Sequence, residues 1–191
     1  MRMKTLLGSI AVVSLLSLNP AHAAQPGCNR SCLAEVMNSY LQAVVKHDPA
    51  AVPMTRNVKY TENGVRITLG DGLWQTASSL PTYRLDVIDD EEGQVGLLGR
   101  ISENGNNNWY AVRLRVEPDR KITEIEVLIN RSLSSAPAGA PSGASRVPTD
   151  PHPLMAQVIP ADKRLRRNEL VSISDAYFTG LDTGESSVGV S

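Results

Sequence analysis

Glu124 and Glu126 stand two residues apart in a stretch, Ile122 to Arg131, that reads as a β-strand, so both carboxylates fall on one face. Arg113 and Arg115 lie in the preceding strand candidate, Trp109 to Val116, and either could reach them. A carboxylate oriented by a guanidinium can serve as a general base. The same pattern describes cross-strand ion pairs on a solvated sheet face. Tyr60 and Glu62 also alternate onto one face, as a hydroxyl donor and an acid at the mouth of a site or as outward-facing hairpin residues. Trp74 follows a glycine-rich loop, Gly70-Asp71-Gly72, and either caps the core or covers a hydrophobic ligand. Tyr40 falls on the apolar stripe of a helix, where core packing with a bonded hydroxyl is the ordinary role. His47 stands beside Asp48 at the end of that helix, as a base oriented by a carboxylate or as a histidine favoured by the helix dipole.

Other chemistries are excluded by what these residues lack. The chain contains no G-x-S-x-G sequence, and no second histidine lies near a serine, which argues against triad chemistry. The glycine-rich loop has no lysine and no long helix after it, so it is not a phosphate loop. Cys28 and Cys32 are the only cysteines, spaced C-x-x-x-C, and too few other ligands remain for a metal site. In an oxidising compartment that spacing favours a disulfide over free thiols, provided Cys28 precedes the first helical turn and Cys32 lies within it. No cofactor is implied.

The elements that must position these groups are legible from their periods. Residues 31–46 carry Leu33, Val36, Met37, Tyr40, Leu41, Val44 and Val45 on one helical stripe, with Ser31 as the N-cap and Asp48-Pro49 closing the helix. Val58 to Thr61 and Val65 to Thr68 flank Asn63-Gly64, the sequence of a type I′ hairpin. Four longer strands follow, Thr82 to Asp89, Gln94 to Glu103, Trp109 to Val116 and Ile122 to Arg131, joined by short turns into an antiparallel meander. In the last of them Ile122, Glu124, Glu126 and Leu128 oppose Thr123, Ile125, Val127 and Ile129.

The 191 residues, 41% hydrophobic and 20% charged, suffice for one good core. Residues 1–23 read as a signal peptide cleaved near Ala23, with Arg2 and Lys4 ahead of an apolar run too short to span a bilayer. This places the mature chain in the periplasm or outside the cell, without a stable membrane anchor. Its 17 basic against 20 acidic residues give no basic field, so nucleic acid is not an expected partner. Residues 28–131 form the domain and 132–153 a linker rich in Ser, Ala, Pro and Gly. Residues 154–181 form a helical segment in which 168–181 is an amphipathic helix capped by Asn168, and 182–191 a polar, disordered tail. Leu170 precedes Tyr177-Phe178 by the interval that separates Leu33 from Tyr40-Leu41. The second helix is either the start of a truncated second copy or a chance likeness between two amphipathic helices.

Several stretches together resemble the nuclear transport factor 2-like superfamily, which includes SnoaL-like polyketide cyclases, and most closely its secreted members of unknown function. They are Tyr60-Thr61-Glu62-Asn63-Gly64, Leu69 to Trp74, Gly93-Gln94-Val95-Gly96, Val112 to Val116 and Ile122 to Glu126. The resemblance covers residues 32–131 and implies an α+β fold in which a helix packs on a curved antiparallel sheet, a cone with an apolar pocket, here followed by a linker and a C-terminal helix. It implies a small apolar molecule as ligand, with Tyr40, Tyr60, Glu62 and Trp74 lining the pocket, and a homodimer through the outer sheet face. Family members that are enzymes carry out proton-transfer chemistry without a cofactor. Two functions follow: an exported small-molecule-binding domain, or a cofactor-independent lyase, isomerase or cyclase. The enzyme would use Glu124 or Glu126, oriented by Arg113, on a small aromatic or polyketide-like substrate.

Overall fold

The computed structural model describes residues 27–80, 82–131 and 150–183. The expected signal peptide, most of the linker and most of the polar tail lie outside the described residues.

Helix α1 (Arg30–Val45) begins at Asn29, whose side chain accepts the Cys32 N–H at 3.0 Å. Asn29 is thus the N-cap in place of the expected Ser31, whose hydroxyl instead donates to the Asn29 side chain. Cys28 lies just ahead of that cap and Cys32 in the first turn, and the two form a disulfide with a Cα separation of 5.2 Å. The helix stops at Lys46. His47 takes a positive φ, and Asp48 caps a short 3-10 turn that begins at Pro49.

The sheet is built from β1 (Met54–Glu62), β2 (Val65–Arg66), β3 (Ala77–Ser79), β4 (Arg84–Asp89), β5 (Gln94–Glu103), β6 (Asn106–Val116) and β7 (Ile122–Asn130). A short helix, α2 (Leu73–Thr76), separates β2 from β3. The strand order is β2-β1-β7-β6-β5, and the far edge of β5 is shared between β3 and β4. Asn63-Gly64 and Asn104-Gly105 both take the paired positive φ angles that a tight hairpin requires.

The sheet is mixed, whereas an antiparallel one was expected: β1 runs parallel to β7. Alternation specifies a strand's faces but not its direction, and the partner of β1 lies some sixty residues away in sequence. A second correction concerns β7. A register shift pairs Arg115 with Glu124 but Val116 with Ile122, so Ile122 joins Ile125, Val127 and Ile129 on the inner face. The extra residue of a bulge reverses the phase of the strand at that point.

The sheet curls around α1. Leu33, Val36, Met37, Tyr40, Leu41 and Val44 are buried against its inner face, where Val95, Leu97, Tyr110, Val112, Leu114 and Ile125 meet them. This is the α+β architecture expected, a helix cupped by a curved sheet. Beyond residues 132–149, two 3-10 turns, Pro153–Ala156 and Ala161–Lys163, lead to helix α3 (Arg167–Thr183). Its first turn is closed by Glu169, which accepts the Arg166 N–H at 2.7 Å, so the cap lies two residues before the expected Asn168. No described helix is long and apolar enough to cross a membrane.

Candidate functional site

The curl of the sheet sends the expected site residues to two opposite faces. Tyr60 and Glu62 point inward from the end of β1, and the Tyr60 hydroxyl donates to Glu62 at 3.2 Å. Trp74, on α2, is buried with its ring edge-on to Tyr40, the centroids 5.5 Å apart. Tyr40 and Tyr60 are fully buried beside Tyr110 of β6. The four residues expected to line a pocket therefore do meet, inside the cone, where they are packed as core.

Around Glu62 is a polar cluster that sequence reasoning missed. Glu62 also accepts the Leu73 N–H at 2.9 Å and an Arg131 N–H at 2.8 Å. Gly72 makes this approach feasible: its φ is +62°, and a Cβ there would lie 2.5 Å from the Glu62 carboxylate. Arg131 grips Glu103 with two hydrogen bonds of 2.6 and 2.9 Å, and Glu103 also accepts from Thr76 and from Asn108 at 3.1 Å. The side chains of Glu103 and Glu62 are only 5% and 10% exposed. A buried charge is tolerated only when paired and fully hydrogen-bonded, and both are. The Arg131 hydrogen bonds hold the Glu103 carboxyl below the usual carboxylate range, against the opposing effect of burial.

A signal for this cluster was present in the sequence. Glu103 continues the inward phase of Val95, Leu97 and Ile101; Asn108 that of Tyr110 and Val112; Arg131 that of Ile129; Glu62 that of Tyr60. Each of these polar residues lies at or beside a strand end in phase with that strand's apolar stripe, and hydrogen bonds join all four.

Tyr40, Tyr60 and Tyr110 all have their hydroxyl pKa pushed up, chiefly by burial. They are neutral donors under ordinary conditions. The Tyr40 and Tyr110 hydroxyls are neighbours, yet neither completes a hydrogen bond of good geometry, and the Trp74 indole N–H is likewise unpartnered. Beside Tyr110 is a cleft of about 200 Å³, lined by Leu41, Leu80, Thr82, Tyr83, Arg84, Leu97, Arg100 and Tyr110. Two of these residues carry a buried polar atom without a partner, the Tyr110 hydroxyl and the Arg100 Nε.

Glu124, Glu126 and Arg113 also come together, on the outer face. Arg113 donates to Glu124 at 2.7 Å, to Glu126 at 2.9 Å and to Gln94 at 3.0 Å. The two carboxylate side chains are 32% and 44% exposed. The Arg113 guanidinium holds both carboxyls below the usual range, assisted by Lys59. A general base needs its proton affinity raised toward neutrality, and here it is lowered. This trio and the tyrosine cluster do not share a cavity, since the sheet lies between them. The His47 Nε2 lies 2.6 Å from the Ala77 carbonyl, while the Asp48 carboxylate accepts the Ala50 N–H, so this pair ties β3 and a turn to the end of α1. Among the described residues no group of His, Cys, Asp and Glu is arranged to hold a metal.

A helix within a curled sheet, carrying a tyrosine-rich interior and a polar cluster at the strand ends, defines the class. The chain belongs to the family described as "Domain of unknown function (DUF8021)", whose model matches residues 28–129. No curated protein matches it. Among solved structures it is similar to an NTF2-like protein of unknown function from Cytophaga hutchinsonii, with 11% identity over 51% of this chain and 89% of that one and a TM-score of 0.42. It is also similar to a protein of unknown function with a cystatin-like fold from Methylobium petroleophilum, with 12% identity over 58% and 84% and a TM-score of 0.47. A de novo designed protein with a curved β-sheet matches at 14% identity over 53% and 88%, with a TM-score of 0.44.

Proposed function

We propose that this chain is an exported, non-catalytic domain that binds a small, largely apolar molecule carrying a hydrogen-bond acceptor. The observation that carries this reading is the cleft beside Tyr110, whose lining combines apolar side chains with Tyr83, Arg84 and Arg100. Arg84 and Arg100 in that lining suit an occupant offering a carbonyl or carboxylate oxygen. Leu41, Leu80 and Leu97 supply the apolar wall for the rest of it. A volume of about 200 Å³ is below the roughly 300–1,000 Å³ of sites for drug-sized ligands, so the occupant is small. Binding is favoured over proton transfer because every carboxyl in the two clusters with a shifted pKa is shifted downward. Export is supported by the Cys28–Cys32 disulfide, since such bonds persist in oxidising compartments.

The test has two arms. The purified chain is denatured in solvent and the extract examined by mass spectrometry. The chain is also titrated with a panel of small aromatic and aliphatic carboxylic acids and ketones, with tryptophan fluorescence as the signal. Saturable binding by the wild type, lost in Arg100→Leu and weakened in Tyr110→Phe at unchanged melting temperature, is the expected result. No co-purifying molecule and no saturable binding across the panel would overturn the reading.

A further inference from the structure

Helix α3 presents an apolar stripe that nothing in its own chain covers. Leu170, Ile173, Tyr177, Phe178 and Leu181 follow helical spacing and all are exposed, and the helix has no buried residue. Its start is nevertheless anchored. Arg167 grips Asp89 with two hydrogen bonds, one of 2.9 Å, and approaches Glu91 at 3.8 Å, at the turn between β4 and β5.

The outer face of the sheet offers the complementary shape. A groove of about 670 Å³ runs across β1, β4, β5, β6 and β7. Gly96 and Ala111 lie in it with little or no side chain, and Val87, Leu98 and Leu128 stand exposed beside them. Lys59 and Arg66 line the same groove, while its Glu126 is engaged by Arg113. From residue 168 to 183 the helix carries Glu169, Asp175 and Asp182 and no cation. An apolar stripe flanked by acids is thus complementary to an apolar groove that carries Lys59 and Arg66.

We propose that α3 of one chain seats in the outer-face groove of a second copy, each giving its helix to the other in a two-fold dimer. Each helix is held at its start beside its own groove, through a residue two positions from Val87, yet buries none of its stripe there. A partner chain supplies the missing cover. The spacing that α3 shares with α1, Leu-x6-Tyr followed by a large apolar residue, is the spacing that seats α1 on the inner face of the same sheet. This contact is helix in groove, and it is independent of the cleft proposed for ligand.

The full chain is examined by size-exclusion chromatography with light scattering over a hundredfold range of concentration. A dimer that dissociates on dilution is expected. Phe178→Glu on the helix and Leu128→Arg in the groove should each yield a monomer where the wild type is dimeric, with unchanged circular dichroism. Chains carrying Leu98→Cys are then mixed with chains carrying Tyr177→Cys under mild oxidation. A disulfide-linked pair of unlike chains is expected, because only contact between copies can form it. A wild-type monomer at every concentration overturns the proposal. So does a dimer that both substitutions leave intact, which would place the contact elsewhere. An intrachain bond in the Leu98→Cys/Tyr177→Cys double variant, without linked pairs, would show the helix docking on its own groove and would also overturn it.

Discussion

Helices α1 and α3 carry one pattern and have opposite fates. Both are amphipathic, of nearly equal length, with a leucine seven residues ahead of a tyrosine. α1 buries seven residues, whereas α3 buries none. The two faces of the sheet differ in the same way. The inner face holds two nearly desolvated carboxylates, Glu62 and Glu103, in a bonded cluster closed by a half-exposed Arg131, and the outer face holds Glu124 and Glu126 in contact with water beside Arg113. An apolar stripe states that a surface needs covering, and tertiary structure alone supplies the cover. A charged triplet states that a pair will form, and burial alone sets what breaking it costs.

The sharpest way to break this comparison is truncation of matched leucines. Leu33→Ala in α1 should cost roughly 2–5 kcal/mol, as for a fully buried leucine that leaves a cavity. Leu170→Ala in α3 should cost less than about 0.5 kcal/mol in dilute solution, as for an exposed site. Urea titration at low protein concentration checks both, and equal losses would mean that α3 is buried in its own chain.

A smaller effect separates the two arginine clusters. Arg131→Met strands Glu103, whose side chain is 5% exposed, and should cost about 2–3 kcal/mol, a little under the ~3–5 kcal/mol of a fully buried pair. Arg113→Met leaves two carboxylates that water can reach and should cost less than about 1 kcal/mol. Thermal melts of the two variants measure the difference.

The smallest effect is the pH dependence that remains. The folded-state pKa of Glu103 lies below its ordinary value of 4.5, so its contribution to stability is present above that pH and is lost as pH falls through the native value. Tyr40, Tyr60 and Tyr110 have pKa values raised above 10.0, so their contribution is present below pH 10 and is lost as pH rises beyond it. Denaturant midpoints across pH should fall at both ends. At the alkaline end, absorbance at 295 nm should show these three phenols ionising only as the protein unfolds. Ionisation of all the tyrosines while the protein stays folded would contradict the buried cluster.

Much of the fold could be read in advance because its signals are local. The stripe of α1, the Asn63-Gly64 hairpin and the strands around Gln94 to Glu103 and Ile122 to Asn130 rest on periods and turn residues that need no partner to be recognised. Arg113, Glu124 and Glu126 were also legible as a group, since adjacent antiparallel strands bring them into register. Their face relative to the tyrosines was not. Tyr60 sits on a strand whose parallel partner, β7, is distant in sequence, and the bulge at Thr123 changes the phase of β7 itself. Glu103 and Arg131 went unrecognised because, although each keeps the phase of its strand's apolar stripe, a polar residue beside a turn also reads as an exposed one.

By itself, the order of residues determined which segments would be helix or strand, which side of each would seek burial, and that Cys28 and Cys32 could bridge one helical turn. Those outcomes follow from backbone geometry and side-chain size within a few residues. The curl of the sheet decided that tyrosines and carboxylates nominated together would end on opposite sides of it, and that Glu62, Glu103 and Arg131 would meet. The physical reason is that desolvation and long-range pairing depend on neighbours far along the chain, and only a closed three-dimensional arrangement specifies which neighbours those are.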